Sequence, residues 1–198
     1  MMNLHTKVLE TIPRDTVQAA ARLLGLLQGK TIVLDDEDQT GIIMDLAIYE
    51  SLGEGMTALE TYIARRSAAS EETDLLAAMA GSRTSLFEIV EARPDEHQLI
   101  YQDLLNPIMG EITVTDVHLS QTAQPGLMIF TRVVDVDGLN MSSGIGFLFK
   151  PDLKKYLMKR HKTVMKKIAS DSDSVRRFVA FFKLYGIDGL TAAFGNIG

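Results

Sequence analysis

The stretch SRTSLFEIVEARPDEHQLIYQDLLNP, residues 82–107, alternates apolar and polar side chains, turns at Arg-Pro-Asp-Glu and alternates again. A period of two sends successive side chains to opposite faces of a strand, so the two halves read as a β-hairpin. Pro94 presets the turn, and Asp95 can bond its own backbone there. Three more apolar runs follow, GEITVTDVHLS (110–120), GLMIFTRVVDVDG (126–138) and GIGFLF (144–149), with Asn-Pro, Pro-Gly and Ser-Ser-Gly between them as turn chemistry. Five or so short strands this closely spaced leave no room for crossover helices. Residues 83–150 are therefore expected to form a small antiparallel β-barrel or curled sheet.

Outside that module the period changes. Val17, Ala20, Ala21, Leu24 and Leu27 recur at helical spacing behind Pro13, with Gly29 as a stop. Further helices are expected over about 38–51, 56–66 and 71–80, the last capped by Ser70, while TIVLDD (31–36) is either a connector or an isolated strand. After Pro151, Leu153, Tyr156, Leu157, Val164 and Ile168 mark one face of a helix, and SDSDS (170–174) leads into a very apolar one. The fold class is α+β in three regions: an N-terminal helical bundle (1–82), the β module (83–150) and C-terminal helices that pack on the rest (151–198). The apolar tail is expected to dock.

With 198 residues, close to half of them apolar, the chain can bury a core of its own. It has no cysteine, which removes disulfides, thiolate zinc sites and cysteine nucleophiles and fits a cytoplasmic protein. The N-terminus lacks the pattern of a secretory signal, and no uncharged apolar run approaches the ~20 residues that span a bilayer. The formal charge of −6 hides a segregation. Before residue 150 nine Lys and Arg face 22 Asp and Glu, whereas residues 150–183 hold eleven basic residues against three acids.

The ordered pattern Ser82, Arg83, Ser85, Leu86, Phe87, Glu88, then Asp103, Leu104, Leu105, then Pro125, Gly126 and finally Ser143, Gly144 resembles a module of uncharacterised bacterial SEC-C-motif proteins. The likeness spans about 75–150. It implies a shared small β module with flanking helices. Those relatives often carry a Cys-rich zinc-binding tail, which a chain without cysteine cannot form.

The candidate chemistry is sparse. Asp35, Asp36 and Asp45 are hard oxygen ligands suited to Mg²⁺ or Ca²⁺, but they lack calcium-loop spacing, and acids before a helix are commonly dipole partners. They would have to serve a divalent-metal-dependent enzyme; no cofactor is otherwise called for. His5, His97, His118 and His161 form no ligand pair, and neither a nucleophile elbow nor a Walker loop is present. Glu88, Glu91, Asp103, Asp135 and Asp137 could form an acid/base pair only if the fold brought two together.

Lys154, Lys155, Lys159, Arg160, Lys162, Lys166 and Lys167 crowd one helix. Such a helix can pack by its apolar face and leave its lysines in water, neutralise nucleic-acid phosphates, or rest on anionic membrane, for which it lacks Trp and Phe anchors. Membrane attachment is the least favoured of the three. The expectation is a non-enzymatic binding protein that docks a protein partner or a second copy through Phe178, Phe181, Phe182, Tyr185, Leu190 and Phe194, with a nucleic-acid-associated protein as the alternative. The sequence names no small molecule.

Overall fold

The computed structural model describes residues 2–36, 38–53, 55–65 and 72–190. The Ser70 cap, Phe194 and the docking of the tail lie outside the described residues. Helices α1 (Met2–Leu9) and α2 (Arg14–Leu24) come first. Gly25, at φ +86°, ends α2 four residues earlier than Gly29 would, because it takes up the left-handed turn that lets its N–H reach Arg22 and Ala21. The undecided segment 31–36 begins as a strand: β1 (Leu27–Gln28) and β2 (Thr31–Ile32) make a two-residue ladder. Helices α3 (Asp38–Tyr49), α4 (Ala58–Ala64) and α5 (Thr73–Ala80) complete the N-terminal bundle. A reciprocal Thr57–Glu60 capping box opens α4.

The quoted stretch is the hairpin of β3 (Arg83–Arg93) and β4 (Gln98–Asp103). Then follow β5 (Glu111–Thr115), α6 (Val117–Thr122), β6 (Met128–Val136) and β7 (Leu139–Phe149). Two details differ from expectation. The run 110–120 is not one strand, because the Asp116 carboxylate accepts the Leu119 N–H and caps a helix. Ser142-Ser143-Gly144 is not a turn but part of β7, where Gly144 at φ +95° sits beside the register shift opposite Thr131–Val133. The strands close a barrel in the order β3-β4-β5-β7-β6, all pairs antiparallel except β5 with β7. Numbered within the barrel this is 1-2-3-5-4, strands three and five parallel and a helix between three and four, which is the topology of the OB barrel.

Inside the barrel Phe87, Ile89, Leu99, Tyr101, Val114, Ile129 and Val133 form one core. Gly146 keeps that interior open to Ile129, since a Cβ there would stand 2.8 Å from its Cδ1. The barrel's outer face presents Leu86, Met128, Phe130, Phe147 and Phe149 to α2, α3, α7 (Lys154–Met165) and α8 (Asp173–Asp188). Phe181 stacks on Phe130 with centroids 4.4 Å apart, and His161 stacks on its other side at 5.3 Å. A further cluster joins α1, α3, α4 and α5 to Val134 of β6. The largest core thus draws on all three regions read from the sequence.

Candidate functional site

Helix α7 separates two rows of side chains. Leu157, His161, Val164 and Ile168 follow the i, i+4, i+7, i+11 path and face inward, buried or half-buried. About 200° around the helix, Lys155, Lys159, Lys162 and Lys166 follow the same path and are all exposed. At a rise of 1.5 Å per residue this row is about 16 Å long. Beside it run Tyr156, Arg160, Thr163 and Lys167, also exposed. Tyr156 therefore belongs to the outer face rather than the inner one read from the sequence. Its phenol is pushed up by partial burial and by nearby Asp188, with Arg160 opposing.

Among the described residues no carboxylate pairs with Lys155, Lys159, Arg160, Lys162, Lys166 or Lys167. Lys154 is different: its Nζ donates to Glu88 at 2.7 Å and ties α7 to β3. Six cations without a carboxylate salt bridge thus line the outer side of α7 and the turn that follows it, with Asp188 beside Tyr156 as the acid near them.

The surface through which OB barrels take oligonucleotides is unsuited to them here. Its outward residues on β3–β4–β5 are Glu88, Glu91, Arg93, Gln98, Ile100, Gln102, Glu111, Thr113 and Thr115, without an aromatic ring and with their one cation, Arg93, held by Glu91. The flanking turns add Asp95, Glu96 and Asp137. Carboxylates there repel phosphate.

The apolar docking surface expected on 178–194 needs correction. Phe178 and Phe181 are buried in the core, 2% and 0% exposed, because the outer face of β6 and β7 supplies the aromatic partners that a foreign chain would otherwise bring. Phe182 and Tyr185 are half-buried against Phe147, and the Leu190 N–H donates to Leu148 O at the end of the sheet.

The acids do not converge. Asp36 caps Gln39 N–H at the start of α3, with Asp35 beside it, while Asp45 lies two turns on, inside the protein. Among the described residues no three His, Asp or Glu side chains are grouped to hold a metal ion. Glu88 pairs with Lys154, Glu91 with Arg93, and Asp135 accepts the Gly138 N–H. Asp103 lies in the barrel interior, where Ser85 Oγ (2.5 Å), Leu105 N–H, Asn106 N–H and the Asn106 amide all donate to it. Ser85 and Asp103, both part of the resemblance pattern, thus meet as a staple that folds the loop after β4. His97 sits in the hairpin turn at φ 56° and His118 on α6, just after β5.

Arg132 was not singled out by its sequence, yet it organises the interior. It is the only Lys or Arg between Arg93 and Lys150 and stands within an otherwise apolar strand, which is the signal that could have found it. Its Nη2 donates to Asp45 Oδ2 at 3.3 Å and Glu50 Oε1 at 3.0 Å, and its guanidinium lies 4.1 Å above the Tyr49 ring. Ser143 donates to Asp45 and Ser174 to Glu50, so β6, β7, α3 and α8 share one network. The nearby carboxylates hold the guanidinium above its ordinary range against its burial. Tyr49 is pushed up, by burial first. His5, 2.7 Å from the Tyr49 hydroxyl, is pushed down, again by burial.

Barrel and helices together define a small OB-topology protein enclosed on one side by helices, with a row of exposed lysines along α7. The chain belongs to the family of unknown function DUF7986, which matches it over residues 1–194. No curated protein and no solved structure matches it. Among the described residues no helix is long and apolar enough to cross a membrane.

Proposed function

We propose that this chain is a non-enzymatic, cytoplasmic binding protein whose α7 face docks on the phosphate backbone of a nucleic acid. The observation that carries the reading is the row Lys155-Lys159-Lys162-Lys166, unpaired and exposed along about 16 Å of helix, with Arg160 and Lys167 beside it. Each lysine that engages a phosphate releases condensed counterions, so affinity comes from salt-dependent electrostatics rather than from base reading. The acidic barrel turns away from the same polymer and orients the encounter. The SEC-C-like pattern supports a scaffold role for the barrel, with function left to the side chains on its helices.

The test is fluorescence anisotropy with labelled 20-nucleotide single strands and duplexes across salt. Four engaged lysines give a log–log salt slope of about −3 to −4. The quadruple variant Lys155→Gln/Lys159→Gln/Lys162→Gln/Lys166→Gln should bind at least about tenfold more weakly and with a flattened slope. Salt-indifferent binding, or binding the quadruple variant retains, refutes the reading. Light scattering that shows lysine-dependent self-association without oligonucleotide binding replaces the nucleic acid with an acidic protein face.

A further inference from the structure

A groove of about 400 Å³ opens between the start of α2, the segment after α3, and α4. Its wall includes Thr11, Asp15, Glu50, Ser51, Thr61 and Arg65. Glu50 is 6% exposed, and both of its hydrogen bonds, from Arg132 Nη2 and Ser174 Oγ, fall on Oε1. No described residue bonds Oε2, which leaves that oxygen to the groove. Behind it, one guanidinium serves two buried carboxylates, Asp45 and Glu50, and burial favours neutral His5. Counted formally, two carboxylates on one guanidinium leave the network one negative charge, which a cation at the groove wall would meet.

Three of the four hydroxyls in its described lining have already spent their protons. Thr11 Oγ1 donates to Val8 O, Ser51 Oγ to Gly53 O or Gly55 O, both at 2.9 Å, and Thr61 Oγ1 to Thr57 O. A hydroxyl has one proton and two lone pairs, so toward the groove these three can only accept. With Asp15 and Glu50 the lining is rich in acceptors, and the ligand must bring both the donors and the positive charge. An ammonium brings three N–H donors and a guanidinium five. Exposed Met56 offers an apolar wall for a methylene stem. Arg65, exposed at the end of α4, is the one cation among the described lining residues and can compete for the same carboxylates.

We infer that this groove is a binding site for a small organic cation, an alkyl ammonium or guanidinium, with the Glu50 and Asp15 carboxylates as its anionic partners. The site is independent of the α7 face. The test is isothermal titration of the full chain with agmatine, which carries both cationic groups on a short methylene stem, and with succinate as an anion of similar size. Agmatine should bind saturably at one site and succinate should not. Asp15→Asn should weaken agmatine about threefold and Glu50→Gln more than about tenfold, while Arg65→Gln should tighten it. If Glu50→Gln fails to fold, as circular dichroism would show, the surface variants Asp15→Asn and Arg65→Gln decide the matter. The quadruple lysine variant should bind agmatine unchanged, which separates this site from the nucleic-acid reading. Absence of saturable heat up to about 10 mM agmatine, a concentration that detects even millimolar ligands, overturns the inference. So does binding that neither Asp15→Asn nor Arg65→Gln alters.

Discussion

Replacing Arg132 by methionine keeps most of the side-chain volume and removes the one charge on which the interior network depends. Asp45 and Glu50, with side chains 4% and 7% exposed, would then sit in the core with only the Ser143 and Ser174 hydroxyls between them and an uncompensated charge. At an effective dielectric of about 20, each carboxylate near 4 Å from the guanidinium interacts by about 4 kcal/mol, most of which offsets the cost of burying the charges. Breaking such a network from one side costs about 3–5 kcal/mol, because the desolvation remains and the attraction does not. The lost contact with the Tyr49 ring adds up to about 1 kcal/mol. For a chain of this length the sum lowers Tm by about 10 °C. Urea denaturation at about pH 7 and pH 5 is the assay. The stranded carboxylates take up protons more readily in the folded variant than in its unfolded chain, so the variant's deficit must shrink as pH falls. Adding Asp45→Asn and Glu50→Gln to Arg132→Met should recover much of the loss. A deficit under about 1 kcal/mol, or one that stays constant with pH, refutes the reasoning.

Other perturbations are smaller in scope. Asp103→Ala strands the Ser85 hydroxyl and the Leu105 and Asn106 N–H groups, and chemical denaturation should show a loss of about 3 kcal/mol. Burial pushes His161 below its ordinary value, so its contribution is complete above pH 6.5 and is lost as pH falls toward the lowered value. Denaturation midpoints at about pH 7.5 and 5.5 should therefore fall less in His161→Phe than in the parent chain, the remaining slope including His5, which is lowered in the same way. Gly146→Val forces its side chain onto Ile129 and should cost about 1–3 kcal/mol, part of which Ile129→Val restores in a double-mutant cycle.

The barrel was legible in 84–103 because alternation and a Pro-Asp turn are local signals, and the structure keeps both. Its closure was not. The parallel pairing of Val114 with Asn140 joins residues far apart in the chain, and nothing in either strand states which edge it will meet. The switch at Asp116 failed for a subtler reason. Thr-Val-Thr-Asp-Val-His-Leu alternates like a strand, and only the reach of Asp116 to the Leu119 N–H turns it into a helix. The period of α8 showed which residues share a face, but not whether that face meets this chain or another. The answer lay in β6, where MIFTRVV is apolar on both faces and so requires a cover on its outer side. The exposed lysines of α7 were legible outright, since charge on an amphipathic helix has nowhere else to go.

The insertion of β7 between β5 and β6 also governs what happens as the polypeptide leaves the ribosome. Until residues 139–149 have emerged, β5 and β6 each present a free backbone edge, and Phe130 waits for Phe147 on that strand and then for Phe181, made about fifty residues after it. A nascent chain stalled before that point is an open sheet with bare rims, and its fate rests with chaperones and proteases until the closing strand arrives.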